Sequence, residues 1–467
     1  MNEDLQHPYI GTSPLERRKM LKEIGLTSEE ELFVDIPRSV ALNRNLDLRG
    51  PLTEYELLKE FNNLLKKNIT TTDCISFLGG GITDLHVPAV VEEILGRGEF
   101  YTSYTPYQAE ISQGMLQALF EYQSLIAELT EMEVVNSSMY DWATALGEAC
   151  TMTARITKRN KFAFAKSIAP NRLAVLKNYA LGPGIKLVEI DFDPQTGMLD
   201  LTSLKTILND DTAGVYIENP NFYGVIEEDI HTLIDEIHRV GALAVVGVDP
   251  LSLGIMEPPG AYGADIVIGE GQSLGNKMNF GGPLLGIFAI QFDRRQVTQF
   301  PGRLIGLTTE EASDQPAFCM TLQTREQHIR RERATSNICT NQALNAVASA
   351  VYLSLLGVDG LKELGRGLLG RAHYLAKQLD LIDQIIAPFF KAPFFREFCI
   401  GFEDPSLFMP DKFEDYMLEH KILGGIPVSS KGFHTKPDAL LISVSEKHSK
   451  IDLNLFVKTL AGYIGGT

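Results

Sequence analysis

Short apolar runs alternate with helical patterns through the middle of the chain. The apolar runs predict strands at 162–165, 186–190, 213–217, 242–248, 265–268 and 284–290. Helical spacing of apolar residues predicts the intervening helices at 171–181, 201–208 and 228–240. Strands that are apolar throughout and separated by helices indicate a parallel sheet covered on both faces. The pattern therefore predicts a doubly wound α/β domain, in which ligands bind beyond the carboxyl ends of the strands.

Helical patterns flank this region on both sides. Before it, Ser13 precedes a helix with proline in its first turn, and further helices are predicted at 27–33, 52–65 and 115–132. After it, helices are predicted at 341–356, 361–379, 411–418 and 453–463, with strands at 398–402 and 439–444. We therefore expect three parts: a helical N-terminal extension at 1–70, a large α/β domain at 71–315, and a C-terminal α+β domain with its connecting helix at 316–467.

Composition narrows the class of protein. The chain has 467 residues, of which 44% are hydrophobic and 22% charged, with a net charge of −18. An acidic surface repels phosphates, which argues against nucleic acid as a partner. No uninterrupted apolar run approaches about 20 residues, so no membrane span is expected. The first ten residues are polar and acidic, without the apolar segment of a secretory leader. We expect a cytoplasmic protein.

The cysteines point to neither a disulfide framework nor a metal site. The five of them are far apart and form no CxxC pair; they are Cys74, Cys150, Cys319, Cys339 and Cys399. A reducing compartment is the simple interpretation.

The segment 101–114 is the first candidate for chemistry. It is dense in hydroxyl and amide side chains, contains one carboxylate, and leads directly into the predicted helix at 115–132. Such a loop offers donors and acceptors together, as a small zwitterionic substrate requires. From density alone, an ordinary aromatic turn with a serine cap is an equally good interpretation.

Two further segments follow predicted strands. The segment 269–283 is rich in glycine, which lets backbone approach a ligand closely, and its Lys277 could bind a carbonyl cofactor covalently. A solvated lysine on a hairpin is the commoner case, and the segment lacks the hydroxyl of a GxxxxGK[ST] phosphate loop. The segment 218–224 contains proline, asparagine and glycine, and on spacing alone it is plain turn chemistry.

Arginines and hydroxyls concentrate at 325–341. Guanidinium groups beside hydroxyls suit an anion such as phosphate or carboxylate. The competing interpretation is a salt-bridged helix, which Glu326 and Glu332 partly support. His328 alone is a weak signal, because a single histidine is more often structural than a ligand.

Several of these segments together resemble one family. Residues 104–114, with the sequence YTPYQAEISQG, resemble a signature of glycine decarboxylase, the P protein of the glycine cleavage system. Residues 220–226 and 325–341 resemble two further signatures, and residues 31–37 match the family's N-terminal helix. The resemblance covers essentially the whole chain. It implies the type I fold of pyridoxal-phosphate-dependent transferases, an α/β fold with a large, doubly wound, mostly parallel sheet domain and a smaller α+β C-terminal domain.

The resemblance also identifies two departures from the family's catalytic half. When the two halves are superimposed through 259–265, Ser273 stands where the cofactor lysine is expected, and Lys277 lies four residues beyond it. Trp142 lies where a type I enzyme usually holds the cofactor phosphate with small residues, and its side chain is large enough to fill that space. We therefore predict that this chain has lost its own cofactor site and holds no pyridoxal phosphate covalently.

The main hypothesis is a separate first-half subunit of a heteromeric glycine decarboxylase, an oxidoreductase assembled as a heterotetramer. The resemblance implies a homologous catalytic subunit 2 that binds pyridoxal phosphate, glycine as the substrate, and lipoylated H protein as the acceptor of the aminomethyl group. This chain alone is expected to be inactive. Two alternatives stay open: a self-sufficient pyridoxal-phosphate enzyme that uses Lys277, and a purely structural scaffold for the catalytic subunit.

Two groups of residues are predicted to contribute to the shared site. Those predicted for the substrate side are Tyr104, Tyr107, Gln108, Glu110, Ser112 and Gln113. Those predicted to close on the partner's cofactor phosphate are Thr335, Ser336 and Asn337. No metal ligand is predicted.

Overall fold

The computed structural model describes residues 9, 11–44, 46–311, 314–336, 338–429 and 437–466. The chain divides into two compact units, Met1–Asn68 and Ile69–Thr467. We name them the N-terminal unit and the large unit. The three-part domain division expected from the sequence stays a prediction.

The N-terminal unit consists of short helices. They are Pro14–Glu23, the 3-10 helix Glu29–Phe33, and Glu54–Leu65. Ser13 begins the first of them, because its hydroxyl accepts a hydrogen bond from the Glu16 N–H at 3.3 Å while the Glu16 carboxylate accepts from the Ser13 N–H at 2.7 Å. Such a capping box satisfies backbone N–H groups that the helix itself leaves unpaired. The structure contains a helical segment at each of the three places where the sequence predicts one, so these predictions are confirmed.

Seven strands form the main sheet of the large unit. In spatial order they are Val134–Val135, Gly286–Ile290, Ile266–Glu270, Leu243–Val248, Thr212–Glu218, Lys161–Ala165 and Lys186–Ile190. Neighbouring strands from Ile266–Glu270 to Lys186–Ile190 pair in parallel, which confirms a mostly parallel sheet. Gly286–Ile290 instead pairs antiparallel with both of its neighbours. The segment 271–285 contains no crossover helix, which is why this strand returns antiparallel to Ile266–Glu270.

Helices surround this sheet. The longer ones are Gln113–Thr130, Trp142–Thr157, Pro170–Leu181 and Ile230–Arg239, and the shorter helical segments are Ala89–Leu95, Gly98–Tyr101, Ala109–Ile111, Leu201–Ile207, Ser252–Gly254 and Gly271–Ser273. Successive side chains of a strand point to opposite faces of a sheet. Accordingly, Tyr216 and Ile217 are adjacent in sequence but lie in different apolar cores. The sheet is thus covered on both faces, as its apolar strands predict.

A two-stranded antiparallel sheet follows the main sheet. Its strands are Leu304–Thr309 and Pro316–Thr321, preceded by the helix Arg294–Gln299 and followed by short helical turns at Gln323–Arg325, Gln327–Arg330 and Arg331–Arg333. The sequence pattern did not predict these strands. Most of their residues are half-buried or exposed, without a clean alternation, so the period-two signal of a strand is weak here.

A long helical segment, Ala343–Leu379, leads to the C-terminal part. Gly357 within it has a φ of 58° and is not helical, so two helices meet there, as the sequence predicts. By length and composition this segment could cross a membrane: a stretch of 18 residues has a mean hydropathy of 1.5, and 44% of it is buried within the protein. A core helix meets the same criterion. Val347 and Leu368 lie in the main apolar core.

The C-terminal part contains a four-stranded antiparallel sheet. In spatial order its strands are Ile385–Ile386, Glu397–Phe402, Ala439–Ser443 and Ile426–Val428. The helices Pro410–Glu419 and Lys450–Gly466 share an apolar core with this sheet. A short parallel pair joins Ile75–Ser76 to Ile422–Leu423. The fold is therefore an α/β domain with a smaller α+β region, as predicted.

Candidate functional site

The strand Ile266–Glu270 ends where the resemblance expects a cofactor lysine. Its carboxyl end runs into the 3-10 turn Gly271–Ser273. Ser273 is 3% exposed, and its hydroxyl has no hydrogen-bond partner among the described residues. The amide of Gln272 accepts from the N–H of Thr83 and donates to the carbonyl oxygen of Thr83, both at 3.2 Å. These two positions therefore present a buried hydroxyl and a fixed amide.

A small pocket, which we name the filled pocket, lies beyond the carboxyl ends of the central strands. Its volume is about 30 Å³, and its principal charged and aromatic lining residues are Trp142, Arg172, Glu218, Asp249, Glu270 and Arg396. A buried water needs roughly 10–15 Å³. The space left between these side chains therefore holds about two or three water molecules.

Arg172 is held inside this pocket by a buried ion pair. Its guanidinium carbon lies 3.6 Å from the centroid of the Trp142 ring, and its Nη1 donates to the Glu218 carboxylate at 2.5 Å. The two charged side chains are only 4% and 3% exposed. Burial by itself lowers the pKa of Arg172, but the Glu218 carboxylate raises it and determines the net direction. The guanidinium is therefore cationic, and it covers the face of the indole.

A second buried ion pair lines the same pocket. Arg396 Nε donates to the Asp249 carboxylate at 2.5 Å, and Arg396 Nη1 donates to the Thr83 hydroxyl at 2.8 Å. Asp249 directly follows the strand Leu243–Val248, so its carboxylate lies at the carboxyl edge of the sheet. That carboxylate is neutralised by the chain itself.

Two N-terminal donors of the helix Trp142–Thr157 are also occupied. The Trp142 N–H donates to Glu270 Oε2 at 3.2 Å, and the Thr144 N–H donates to Asp141 Oδ1 at 2.7 Å. Burial raises the pKa of Glu270 to about 8, although backbone N–H groups that donate to it oppose the shift. Helix N-termini are common phosphate-binding sites. In this chain, its own carboxyl groups take those donors.

The residues of the filled pocket do not fit pyridoxal phosphate. The pocket measures about 30 Å³, whereas small-molecule sites typically measure about 300–1,000 Å³. Trp142 and Arg172 fill its interior, and no lysine lines it within the described part of the chain. Neither the covalent link nor the phosphate-binding helix N-terminus that the cofactor requires is available here.

Lys277, the residue of the self-sufficient alternative, does not line this pocket. Its side chain is 59% exposed, and its ammonium group pairs with the carboxylate of Glu92, which is 56% exposed. Catalytic lysines are activated by desolvation or by a neighbouring cation. Lys277 has the surroundings of a surface lysine.

Two of the segments singled out in the sequence meet at Arg303, in a group of side chains that we name the Arg303 cluster. Arg303 Nη2 donates to the Tyr107 hydroxyl at 3.4 Å and to the Cys339 carbonyl oxygen at 2.9 Å. Arg303 Nη1 donates to the Asn341 side-chain oxygen at 3.3 Å. The His328 ring meets the Tyr107 ring edge-on at a centroid distance of 6.2 Å. The cluster thus joins the tyrosine-rich loop to the arginine- and hydroxyl-rich segment.

Other residues predicted for the substrate side lie on the protein surface. Tyr104 is 78% exposed, and Gln108 and Glu110 are exposed as well. Ser112 precedes the helix Gln113–Thr130, but its side chain makes no capping hydrogen bond. These side chains are accessible to a substrate or a partner, and their role stays a prediction.

Gln113 is half-buried at the start of the helix Gln113–Thr130. Its amide nitrogen donates to the carbonyl oxygens of Ala109 at 2.7 Å and Phe318 at 2.9 Å, and its amide oxygen accepts from the Phe318 N–H at 2.8 Å. Both ends of the amide are therefore engaged in tying the start of a helix to the strand Pro316–Thr321. Gln113 therefore has a structural role in this chain, and its substrate-side role stays a prediction.

The residues predicted to meet a partner's cofactor phosphate are placed differently from one another. Ser336 donates to Glu148 Oε1 at 2.7 Å and accepts from the Ile338 N–H at 3.1 Å, so its hydroxyl is engaged within the chain. Burial raises the pKa of Glu148, and the hydrogen bond from Ser336 opposes the shift. Thr335 lines a cavity beside Arg303. Asn337 lies outside the described residues.

Sequence reasoning missed the three arginines that are buried among the described residues, namely Arg172, Arg303 and Arg396. Each stands apart from the dense motifs, and a single arginine in a sequence is normally exposed. Arg172 is near Leu173 and Leu176 on one helix, and both leucines are buried with it. A charged residue on an apolar helical face is the signal that could have identified Arg172. No comparable signal surrounds Arg303.

Comparison with known proteins identifies the family. A family model described as "Glycine cleavage system P-protein" matches residues 7–460. The chain belongs to this P-protein family. A relative named "Probable glycine dehydrogenase (decarboxylating) subunit 1" from Saccharolobus islandicus (strain L.S.2.15 / Lassen #1) is 47% identical over 464 residues, which is 99% of each chain. The Thermococcus kodakarensis protein of the same name is 48% identical over 457 residues, 98% of each chain.

Solved structures agree with membership of the P-protein family. A crystal structure of glycine decarboxylase (P-protein) of the glycine cleavage system, in inhibitor-bound form, matches 98% of this chain and 100% of that chain, with a TM-score of 0.86 and 38% identity. Glutamate decarboxylase from Lactobacillus brevis matches 94% of this chain and 97% of that chain, with a TM-score of 0.67 and 12% identity, and shows the fold alone. The fold is that of type I pyridoxal-phosphate-dependent enzymes, as the resemblance implied.

Proposed function

We propose that this chain is the cofactor-free subunit of a glycine decarboxylase built from two different subunits. Its full-length relatives carry a name that specifies subunit 1 of glycine dehydrogenase (decarboxylating), and a numbered subunit implies a second one. The observation that carries the proposal is the filled pocket, where Trp142 and Arg172 leave about 30 Å³ at the carboxyl edge of the sheet. A member of this family without room for the cofactor requires a partner that holds it.

In the proposed complex, a homologous subunit 2 binds pyridoxal phosphate, and the complex works in the cytoplasm. Pyridoxal phosphate supplies the electron sink that decarboxylation of glycine requires. The remaining aminomethyl group passes to the lipoyl disulfide of the H protein, which is reduced in that transfer. The chain described here contributes groups that bind and orient the reactants.

The accessible side chains of the tyrosine-rich loop suit that contribution. Glu110 offers a carboxylate to an ammonium group, and Tyr104 and Gln108 offer donors to a carboxylate or to the lipoyl arm. Tyr107 is oriented by Arg303, whose guanidinium carbon lies 5.6 Å from the centroid of its ring. We propose Thr335 as the group on this chain nearest to the phosphate of the partner's cofactor.

The N-terminal unit supports assembly into a heterotetramer. Its helices and the residues that directly follow them expose apolar side chains that are each more than half accessible: Leu15, Met20, Ile24, Phe33, Val34, Tyr55, Leu58 and Phe61. Obligate interfaces typically bury more than about 2,000 Å² and are more apolar than other surfaces. We propose that these helices cover part of the partner subunit.

Co-expression of the full chain with a candidate subunit 2 tests the proposal. We expect glycine–bicarbonate exchange, in the presence of lipoylated H protein, only when both chains are present. Borohydride reduction followed by peptide mapping should find the pyridoxyl group on the partner. Exchange by this chain alone, with a pyridoxyl group on Lys277, would establish the self-sufficient alternative instead.

A further inference from the structure

The segment 338–342, which leads from the Arg303 cluster into the long helical segment, has no regular structure of its own. It forms neither helix nor strand, and the helical segment Ala343–Leu379 begins directly after it. The backbone groups of such a segment need partners elsewhere in the chain. The conformation of the segment matters because its Cys339 carbonyl oxygen and its Asn341 side-chain oxygen both accept hydrogen bonds from Arg303.

A tyrosine hydroxyl holds the middle of this segment. Tyr140 lies in residues 136–141, which we name the anchoring turn. Its hydroxyl accepts hydrogen bonds from the Cys339 N–H at 3.3 Å and from the Thr340 N–H at 3.4 Å. Both distances are long for such bonds, so each bond is weak. The Thr340 N–H belongs to the same planar peptide group as the Cys339 carbonyl. Tyr140 and Arg303 therefore hold the two ends of one rigid unit.

Two serines of the anchoring turn hold the rest of the segment. The Ser138 hydroxyl accepts from the Gln342 N–H at 2.9 Å, and the Ser137 hydroxyl accepts from the Asn341 amide nitrogen at 2.9 Å. Ser137 also contacts Arg303 directly, because its N–H and its hydroxyl donate to the Arg303 carbonyl oxygen at 2.8 Å and 3.2 Å. Both serines are fully buried. The anchoring turn thus fixes the Arg303 backbone together with the groups that the Arg303 side chain contacts.

The anchoring turn is itself bound to the main sheet. The Met139 N–H donates to the Gly286 carbonyl oxygen at 2.8 Å, and the Gly286 N–H donates back to the Met139 carbonyl oxygen at 3.1 Å. A Cβ atom at Gly286 would lie 2.5 Å from the Asp141 carbonyl oxygen, so this close approach requires glycine. The turn therefore has a fixed position relative to the strand Gly286–Ile290.

The Arg303 guanidinium connects this fixed turn to the tyrosine-rich loop. Its Nη2 donates both to the Cys339 carbonyl oxygen at 2.9 Å and to the Tyr107 hydroxyl at 3.4 Å. The guanidinium carbon lies 5.6 Å from the centroid of the Tyr107 ring. Arg303 is 6% exposed, whereas Tyr107 is 51% exposed. One continuous series of contacts thus runs from Tyr140 through a single peptide group and Arg303 to an accessible tyrosine.

We propose that Tyr140 is a positioning residue, whose hydroxyl places the Cys339–Thr340 peptide group so that Arg303 holds Tyr107 in the orientation that the reaction requires. This inference rests on the proposed function, in which Tyr107 belongs to the substrate side of the shared site. The competing explanation is that the Tyr140 hydroxyl only stabilises the fold. Phenylalanine keeps the shape of the ring and removes the acceptor of two N–H groups, so Tyr140→Phe separates the two explanations.

The test uses the full chain alone and in complex with a co-expressed candidate subunit 2. The variants are Tyr140→Phe, Tyr107→Phe and the double variant. Tyr374→Phe is the matched control, because the Tyr374 hydroxyl donates to the Asn454 side-chain oxygen at 2.7 Å in the C-terminal part. This control loses a phenolic hydroxyl and its hydrogen bond outside the Arg303 cluster.

In the complex, Tyr140→Phe should raise the KM for glycine or for lipoylated H protein about three- to tenfold in the glycine–bicarbonate exchange assay. A mere loss of folded chain lowers kcat and leaves both KM values unchanged. In the Tyr107→Phe background, Tyr140→Phe should change the exchange rate and the KM values less than about twofold, because residues that act through one another are not additive. Tyr374→Phe should match the parent. Parental KM values in Tyr140→Phe, or additive effects in the double variant, overturn the proposal.

In the chain alone, deuterium uptake is followed by mass spectrometry of the peptide that covers 338–342. Uptake should be at least about threefold faster in Tyr140→Phe, because the Cys339 and Thr340 N–H groups lose their acceptor. In Tyr374→Phe it should equal that of the parent. Unchanged uptake in Tyr140→Phe overturns the proposal without any partner. Absence of glycine–bicarbonate exchange in the parental complex is instead a failure of the proposed function, so the two failures are distinguishable.

Discussion

Replacing Arg172 by methionine should destabilise the large unit much more than replacing an exposed arginine does. Methionine keeps an unbranched side chain of similar length but removes the charge. The variant loses the 2.5 Å bond to Glu218, the 3.6 Å contact with the Trp142 ring and the 3.2 Å bond to the Gly80 carbonyl oxygen. It also leaves the Glu218 carboxylate buried without its cation.

The size of the destabilisation follows mainly from the Glu218 carboxylate that is left buried without a cation. Removing one partner of a buried ion pair typically costs about 3–5 kcal/mol, because the other charge stays uncompensated. The desolvated contact with the indole, about 2 kcal/mol or more, is part of the same loss. Arg239→Met is the matched control, because Arg239 is 61% exposed and pairs with Glu236 on the same helix. Surface pairs of this kind are typically worth about 0–1 kcal/mol.

The loss of stability caused by Arg172→Met should also depend on pH. Burial raises the pKa of Glu218, and Arg172 opposes that shift, so the pKa rises further once Arg172 is gone. A carboxyl group whose pKa is raised in the folded state favours folding below its unfolded pKa and loses that contribution as the pH rises through the folded value. Arg172→Met should therefore be less destabilising at about pH 5 than at about pH 8.

Tryptophan fluorescence reports on the surroundings of Arg172, because the chain has a single tryptophan. The chain contains one tryptophan, Trp142, and it lies against Arg172 in the filled pocket. Urea unfolding followed by its fluorescence gives the midpoint for the parent, Arg172→Met, Glu218→Gln and the double variant. The double variant should recover most of the loss, because neither charge is then left alone. The reasoning is refuted if Arg172→Met unfolds at the parental midpoint, or if the two single losses simply add.

Three other outcomes are expected. Incubation of the purified chain with pyridoxal phosphate and borohydride should leave Lys277 unmodified in peptide maps, and one pyridoxyl group per chain there would contradict the filled pocket. In the assembled complex, Tyr107→Phe and Glu110→Gln should each lower glycine–bicarbonate exchange by about 10²–10³ while size-exclusion profile and melting temperature stay unchanged; parental rates in both would show that the loop is structural. Burial raises the pKa of Glu270 from 4.5 to about 8, so stability should fall as the pH rises through that window. Glu270→Gln should flatten this dependence of the urea midpoint, and an unchanged slope would show that Glu270 titrates as an ordinary carboxyl.

Local patterns were sufficient for the elements that a few adjacent residues specify. The strand at Lys186–Ile190 has the predicted bounds, and the helix after Ser13 begins with the expected serine cap. Gly357 interrupts the long helical segment close to the predicted break. In these cases the controlling interactions, namely apolar periodicity, a capping hydrogen bond and a positive φ at glycine, all lie within one turn or strand.

Local sequence patterns could not predict which distant segments pair with one another. The direction of Gly286–Ile290 depends on where the chain returns after Glu270, and the strands at Leu304–Thr309 and Pro316–Thr321 exist because they pair with each other. Gln113 reads as a polar loop residue, yet its amide is bound to Phe318, 205 residues away. The residues adjacent in sequence do not predict any of these contacts.

The sequence by itself determined the family, the α/β class and the absence of a lysine at position 273, because each of these depends on residue identity and local order. Only the tertiary structure decided what surrounds the buried charges. Arg172 and Arg303 are both single arginines in the sequence, but one lies 2.5 Å from a buried carboxylate and the other has only neutral acceptors among the described residues. The energy of a buried charge depends on which partners the fold brings within a few ångströms, and those partners come from segments far apart in the chain.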